Sequence, residues 1–138
     1  MAITHKYTLV CDDVRQENNG KFIVVGLYTG IMAVPQLPAT LPFLTFFMFV
    51  EADRPGNFPF RMRLENMETG QRLVEGMGNM NVQKPGIGAS PIRIGPLQFT
   101  NFGTYNFVVT IDGQEPIVTS FEVMFPPSQP LQIRQGQR

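Results

Sequence analysis

Residues 103–125 read GTYNFVVTIDGQEPIVTSFEVMF. Tyr105, Phe107, Val109 and Ile111 alternate with Asn106, Val108 and Thr110. After a turn, Ile117, Thr119, Phe121, Val123 and Phe125 alternate with Val118, Ser120, Glu122 and Met124. A period of two puts each set on one face of an extended strand. Asp112-Gly113 supplies the φ-permissive pair of a tight reversal, and Gln114, Glu115 and Pro116 lengthen the loop. The stretch is therefore a β-hairpin with one almost wholly apolar face. A lone hairpin is marginal in water, so more sheet must cover that face.

The rest of the chain supplies it. His5–Cys11 reads as a first strand ended by Asp12 and Asp13, and Asn18-Asn19-Gly20 offers a reversal into Lys21–Tyr28, KFIVVGLY. Gly26 inside that strand points to a bulge or to close approach by another backbone. A short strand fits Gly30–Val34, and Pro35, Pro38 and Pro42 mark a crossover loop. Phe43–Ala52, FLTFFMFVEA, is apolar on both faces, which suits either the middle of the fold or contact with another subunit. Phe58, Phe60, Met62 and Leu64 alternate with Pro59, Arg61 and Arg63, giving a half-buried strand that hairpins into Gln71–Glu75. Gly76–Gly88 is glycine-rich and takes no assignment, and Pro96 makes Pro91–Phe99 an edge strand or a broken one.

No segment keeps a helical period. The expected fold is all-β: an antiparallel, immunoglobulin-like β-sandwich of about seven to nine strands. It occupies residues 1–125, followed by a proline-rich tail at 126–138. Tyr105, near the start of an alternating strand and two residues after Gly103, resembles the tyrosine at one corner of such sandwiches, although their usual Trp is missing.

Lys plus Arg and Asp plus Glu are both 11, so the formal net charge is zero, and no basic run exists to attract nucleic acid or an anionic membrane. Charged residues are 16% of the chain, against roughly 25% in ordinary soluble domains, leaving a surface poorly defended against association. The single cysteine, Cys11, forms no internal disulfide, and the first residues lack the charged-then-apolar pattern of a secretory signal. The expected location is the cytoplasm or an assembled phage particle.

Candidate chemistry is sparse. Asp12 and Asp13, with Arg15 and Glu17 close by, form an acidic cluster that could sit at a loop mouth, but they lack the spacing of a calcium loop. A turn role for Asp12 and an Asp13–Arg15 pair account for them more simply. Cys11 beside two acids is a poor nucleophile, since neighbouring negative charge raises a thiol pKa. His5 is the only histidine, and no nucleophile motif accompanies it. Gly86-Ile87-Gly88-Ala89-Ser90 lacks the Lys-Ser/Thr of a phosphate loop. No catalytic residue, metal or cofactor is expected, and the chain is read as a non-enzyme.

The blocks CDDVRQENNGKFIVVGLY (Cys11–Tyr28) and VPQLPATLPFL (Val34–Leu44) resemble an uncharacterised family of small bacterial proteins. Its members share the Cys-Asp-Asp-Val-Arg stretch, an Asn-Gly-Lys turn, a glycine-aromatic strand, a Pro-Ala-Thr-Leu-Pro loop and a closing hairpin. The resemblance covers most of the chain outside the tail and Gly76–Gly88. It implies a β-sandwich of bacterial or phage origin and carries no activity.

Association is the function this pattern favours. The expected module self-associates or docks onto a larger assembly, through Phe46, Met48 and Val50, by strand addition at Pro91–Phe99, or with the tail anchors Leu131 and Ile133. The partner is a protein, with homo-oligomers favoured and neither nucleic acid nor membrane involved. The alternative is a sandwich binding a glycan or small molecule at its loop end, with Asp12, Asp13 and Arg15 at the mouth.

Overall fold

The structure, a computed structural model, describes residues 2–126. Eleven strands are found among them: β1 (Ile3–Gln16), β2 (Phe22–Tyr28), β3 (Ile31–Ala33), β4 (Ala39–Leu41), β5 (Leu44–Ala52), β6 (Gly56–Asn66), β7 (Arg72–Val82), β8 (Gly86–Ile94), β9 (Leu97–Phe99), β10 (Gly103–Ile111) and β11 (Ile117–Met124). The chain is all-β. One sheet has the order β2-β1-β5-β8, a second has β3-β11-β10-β6-β7, and β4 and β9 form a separate ribbon. All pairings are antiparallel except β3 with β11, which is parallel.

The opening hairpin is as its alternation requires. Tyr105 lies opposite Phe121, Phe107 opposite Thr119 and Val109 opposite Ile117, so the apolar sets share one face, and Gly113 turns the loop at φ 74°. Phe46 on β5 stacks on Phe107 of β10 with ring centroids 3.9 Å apart. The two strands belong to different sheets, so side chains of both sheets share one core. Leu44, Met48, Val50, Leu64, Phe99, Tyr105 and Val123 fill it. Phe99 comes from the ribbon and meets the Tyr105 ring edge-on at 5.0 Å. The buried Tyr105 hydroxyl is satisfied by donating to the Asn101 carbonyl at 2.7 Å, four residues upstream.

The strand count exceeds the expected seven to nine for a local reason. The three-residue β4 lies within the proline-flanked stretch read as a crossover loop, and Pro91–Phe99, read as one edge or broken strand, is divided between β8 and β9, while the short strand expected at Gly30–Val34 is β3. The unassigned glycine-rich segment is also strand. Gly76 and Gly78 of β7 stand opposite Met62 and Phe60, and a Cβ at Gly78 would come within 2.6 Å of the Phe60 ring. These glycines are small so that the Phe60 and Met62 side chains can spread over β7. Gly86–Ser90 begins β8, and Pro91 sits on that sheet-edge strand as proline's missing donor demands.

Asn66 is one of two buried polar residues, with Thr45, among the described residues. Its Oδ1 accepts from the amides of Glu68 (2.8 Å) and Thr69 (2.9 Å), and its Nδ2 donates to the Phe102 carbonyl at 3.3 Å. One side chain thus shapes the β6–β7 turn and ties it to the segment entering β10.

Candidate interaction surface

The residues first offered as a contact face lie elsewhere. Phe46, Met48 and Val50 are 0%, 1% and 4% exposed and point into the core between the sheets, because β5 is an interior strand whose even-numbered positions face β10 and β11. They hold the subunit together and present nothing outward. Leu131 and Ile133 lie outside the described residues.

Asp12, Asp13 and Arg15 do not line a loop mouth. β1 does not stop at the aspartates but runs through them to Gln16, paired with β2. Every charge in the trio has a partner or a local bond. The Tyr28 hydroxyl donates to Asp12 Oδ1 at 2.9 Å. Asp13 Oδ1 accepts from the Val14 amide and from Arg93 of β8, and Asp13 Oδ2 from Arg15 at 3.4 Å, the Asp13–Arg15 pair expected from sequence. Burial pushes the Tyr28 phenol up, with the Asp12 carboxylate adding to it, to about 12. Burial also opposes ionisation of Asp13, but hydrogen bonds from Arg93 and the Val14 amide, with the charge of Arg93, leave its carboxyl below the ordinary value. His5 is occupied by Thr8, 2.8 Å from its Nε2.

What these residues build is a bend. Leu9 pairs with Phe47, and Gln16 pairs with Phe22. The seven steps from Leu9 to Gln16 would carry a straight strand about 23 Å, at about 3.3 Å per residue. Yet the Phe22 and Phe47 rings meet edge-on with centroids 4.9 Å apart. The far end of the β1–β2 hairpin must therefore fold back over the outer face of its own sheet. The turn lies at Asp12 and Gly26, the one opposed position left out of an otherwise continuous ladder, where Gly26 takes φ 67°. Gly26 is indeed a place of close approach, but by the Asp12 side chain and not by another backbone.

The fold-back closes over Cys11, which is wholly buried, and Thr45, whose hydroxyl donates to the Asp12 carbonyl at 3.3 Å. Burial first, and then the charges of Asp12 and Asp13, push the Cys11 thiol up. Phe22 caps Phe47, which touches Phe49, and Phe49 stacks on Tyr7 at 4.6 Å. The hairpin's own apolar residues stay in solvent: Ile23, Val24, Val25 and Leu27 are 37–52% exposed. β2 is also an edge strand, and nothing from Phe22 to Tyr28 carries a charge or lacks an amide proton. The composition of KFIVVGLY identifies a strand; its exposure could not be read from the same letters.

A second feature lies on the outer face of the other sheet. Arg61, Met77 and Thr110 are shared by two adjoining depressions of about 690 and 530 Å³. Arg63 and Arg72 are engaged by Glu65 and Glu75, whereas Arg61 has no carboxylate partner among the described residues.

Comparison with known proteins adds a family and a fold. The model of a family of unknown function (DUF6941) matches residues 6–124. No curated protein matches the sequence. Among solved structures, the β-glucosidase EmGH1 from Erythrobacter marinus is similar with a TM-score of 0.52 at 9% sequence identity. The match covers 88% of this chain and 15% of that enzyme's chain, a likeness of backbone alone. No helix among the described residues is long and apolar enough to cross a membrane.

Proposed function

We propose that this chain, which belongs to the DUF6941 family of unknown function, is a non-enzymatic interaction module. In this reading it is an immunoglobulin-like β-sandwich of bacterial or phage origin, acting in the cytoplasm or in a phage particle. It associates with a second copy of itself, or docks onto a larger assembly, through the exposed side of the β1–β2 hairpin. Support for the immunoglobulin-like reading comes from the short β3 lying parallel to the last strand β11 and from the Tyr105 hydroxyl closing back on Asn101 at the start of β10.

The observation that carries the functional reading is β2. Natural edge strands are protected by charge, proline, bulges or shortness. β8 has Pro91, β7 carries Arg72 and Glu75, and β3 is three residues long, but β2 is seven residues long, apolar and uncharged. Apart from the irregularity at Gly26, β2 carries none of these devices, so a partner strand finds most of its edge open. A second copy is the first occupant to test, because pairing β2 with itself sets no like charges against each other and a chain of zero net charge does not repel its twin.

Mass in solution by light scattering decides this. The full chain is expected to form a defined oligomer that Val25→Lys dissociates while circular dichroism stays unchanged. A full chain that is monomeric at every concentration would overturn self-association through this strand.

The second reading, a ligand-binding sandwich, loses its first location because Asp12, Asp13 and Arg15 are consumed internally. The depression beside Arg61, which has no carboxylate partner among the described residues, favours an anionic small molecule on the opposite sheet instead.

A further inference from the structure

We propose that the folded-over end of the β1–β2 hairpin, residues 13–25, is a hinged flap that opens about Asp12 and Gly26 while the two sheets stay folded. This does not depend on what the module binds.

The hinge is a specific site. On its near side Val10 and Cys11 pair with Tyr28 and Leu27, and on its far side Asp13 to Gln16 pair with Val25 to Phe22. Only Asp12 and Gly26 between them are unpaired, and Gly26 has the backbone freedom to change its dihedrals. The flap can therefore swing as a unit, keeping its own ladder.

Few contacts hold it down. Phe22 rests against Phe47, Thr45 donates to the Asp12 carbonyl, and Asp13 pairs with Arg93. Arg93 reaches Asp13 from β8 across the intervening β5, and its guanidinium lies over the Phe43 ring at 4.6 Å, which steadies it as a latch. The latch is half in solvent, with the Arg93 side chain 55% and the Asp13 side chain 13% exposed, and a single ion pair in that setting is a modest restraint. Segments held by few buried contacts open at much lower free energy than the whole domain.

Cys11 reports on the flap. It is 0% exposed, on the outer face of the first sheet directly under the fold-back. Lifting residues 13–25 removes that cover and uncovers Phe47, adding its ring to the aromatic run of Tyr7 and Phe49.

The test is the rate at which Ellman's reagent labels Cys11 in the full, native chain, where it is the only cysteine. Local opening exposes little surface, so the rate should be nearly flat across low urea concentrations, well below the unfolding transition. Arg93→Gln should raise it roughly three- to fivefold, the worth of one such ion pair. Amides of Phe22–Val25 should exchange hydrogen faster than those of β10. Labelling that climbs steeply with urea from the first addition and tracks global unfolding would overturn the flap. So would fast labelling that Arg93→Gln leaves unchanged. If Arg93→Gln does not fold, the urea dependence and the hydrogen exchange of the unaltered chain still decide.

Discussion

The Asp12 carboxylate occupies the space where a side chain on Gly26 would have to stand. The two residues face each other across the β1–β2 hairpin, and the missing Cβ lets the carboxylate lie over the opposite strand while its Oδ1 accepts from Tyr28. A strand-interior glycine, which on propensity alone weakens its strand, is here the condition for a bend.

Gly26→Ala should therefore destabilise the protein by about 1–3 kcal/mol, through strain at positive φ and displacement of Asp12. Asp12→Ala in the same chain should recover part of the loss, because it removes the clash but not the strain. Urea denaturation of the two single variants and the double variant measures that coupling; strict additivity would mean that the carboxylate and the glycine do not compete for one space.

Removing the Tyr105 hydroxyl isolates one hydrogen bond. Tyr105→Phe keeps the ring packed on Phe99 and Phe121 but leaves the Asn101 carbonyl without its donor, for an expected cost of about 1–2 kcal/mol. Tyr105→Ala adds a cavity and should cost about 3–5 kcal/mol. Thermal unfolding of the two variants separates bond from packing.

Phe46→Ala should cost about 3–5 kcal/mol, since the ring is completely buried and stacked on Phe107. Phe46→Glu should unfold the chain outright by burying an unpaired charge. If Phe46→Glu instead remained folded and changed only the mass in solution, β5 would be a contact strand after all.

The pH dependence follows from Tyr28 at the alkaline end. Its folded pKa of about 12 stands above the ordinary value of 10. The raised pKa means that its contribution is complete below pH 10 and is lost as pH rises through 12. A tyrosinate absorbance titration should show the Tyr28 phenol ionising late, and Asp12→Asn should bring it down. At the acid end, Asp13 is depressed, so its contribution is present above the ordinary carboxylate pKa and disappears as pH falls through the lower folded value. Arg93→Gln should shift that acid limb upward.

Replacing Asn66 tests the turn. Asn66→Ala leaves the Glu68 and Thr69 amides and the Phe102 carbonyl without their partner inside the protein, and a loss of about 2–4 kcal/mol is expected. Asn66→Asp should cost less if the carboxylate keeps both amides, which chemical denaturation would read directly.

Much of this architecture is written in short-range order. Alternation from Tyr105 to Ile111 and from Ile117 to Val123, the Asp112-Gly113 turn, the reversal at Asn18-Asn19-Gly20 and the lack of any helical period settle an all-β chain and the closing hairpin. They do so because side-chain direction and turn dihedrals are local properties. The Asp13–Arg15 pair was legible for the same reason. Only the tertiary structure decides which strands pair, since loop closure rewards contacts that no local period encodes. It sends the even face of β5 into the core, where Phe46 meets Phe107, and sets β3 parallel to β11. It also brings Arg93 to Asp13 from 80 residues away. The exposed apolar hairpin belongs to this second class: Ile23 and Val25 have the composition of a core strand, and only the place of β2 at the edge of its sheet leaves them in water.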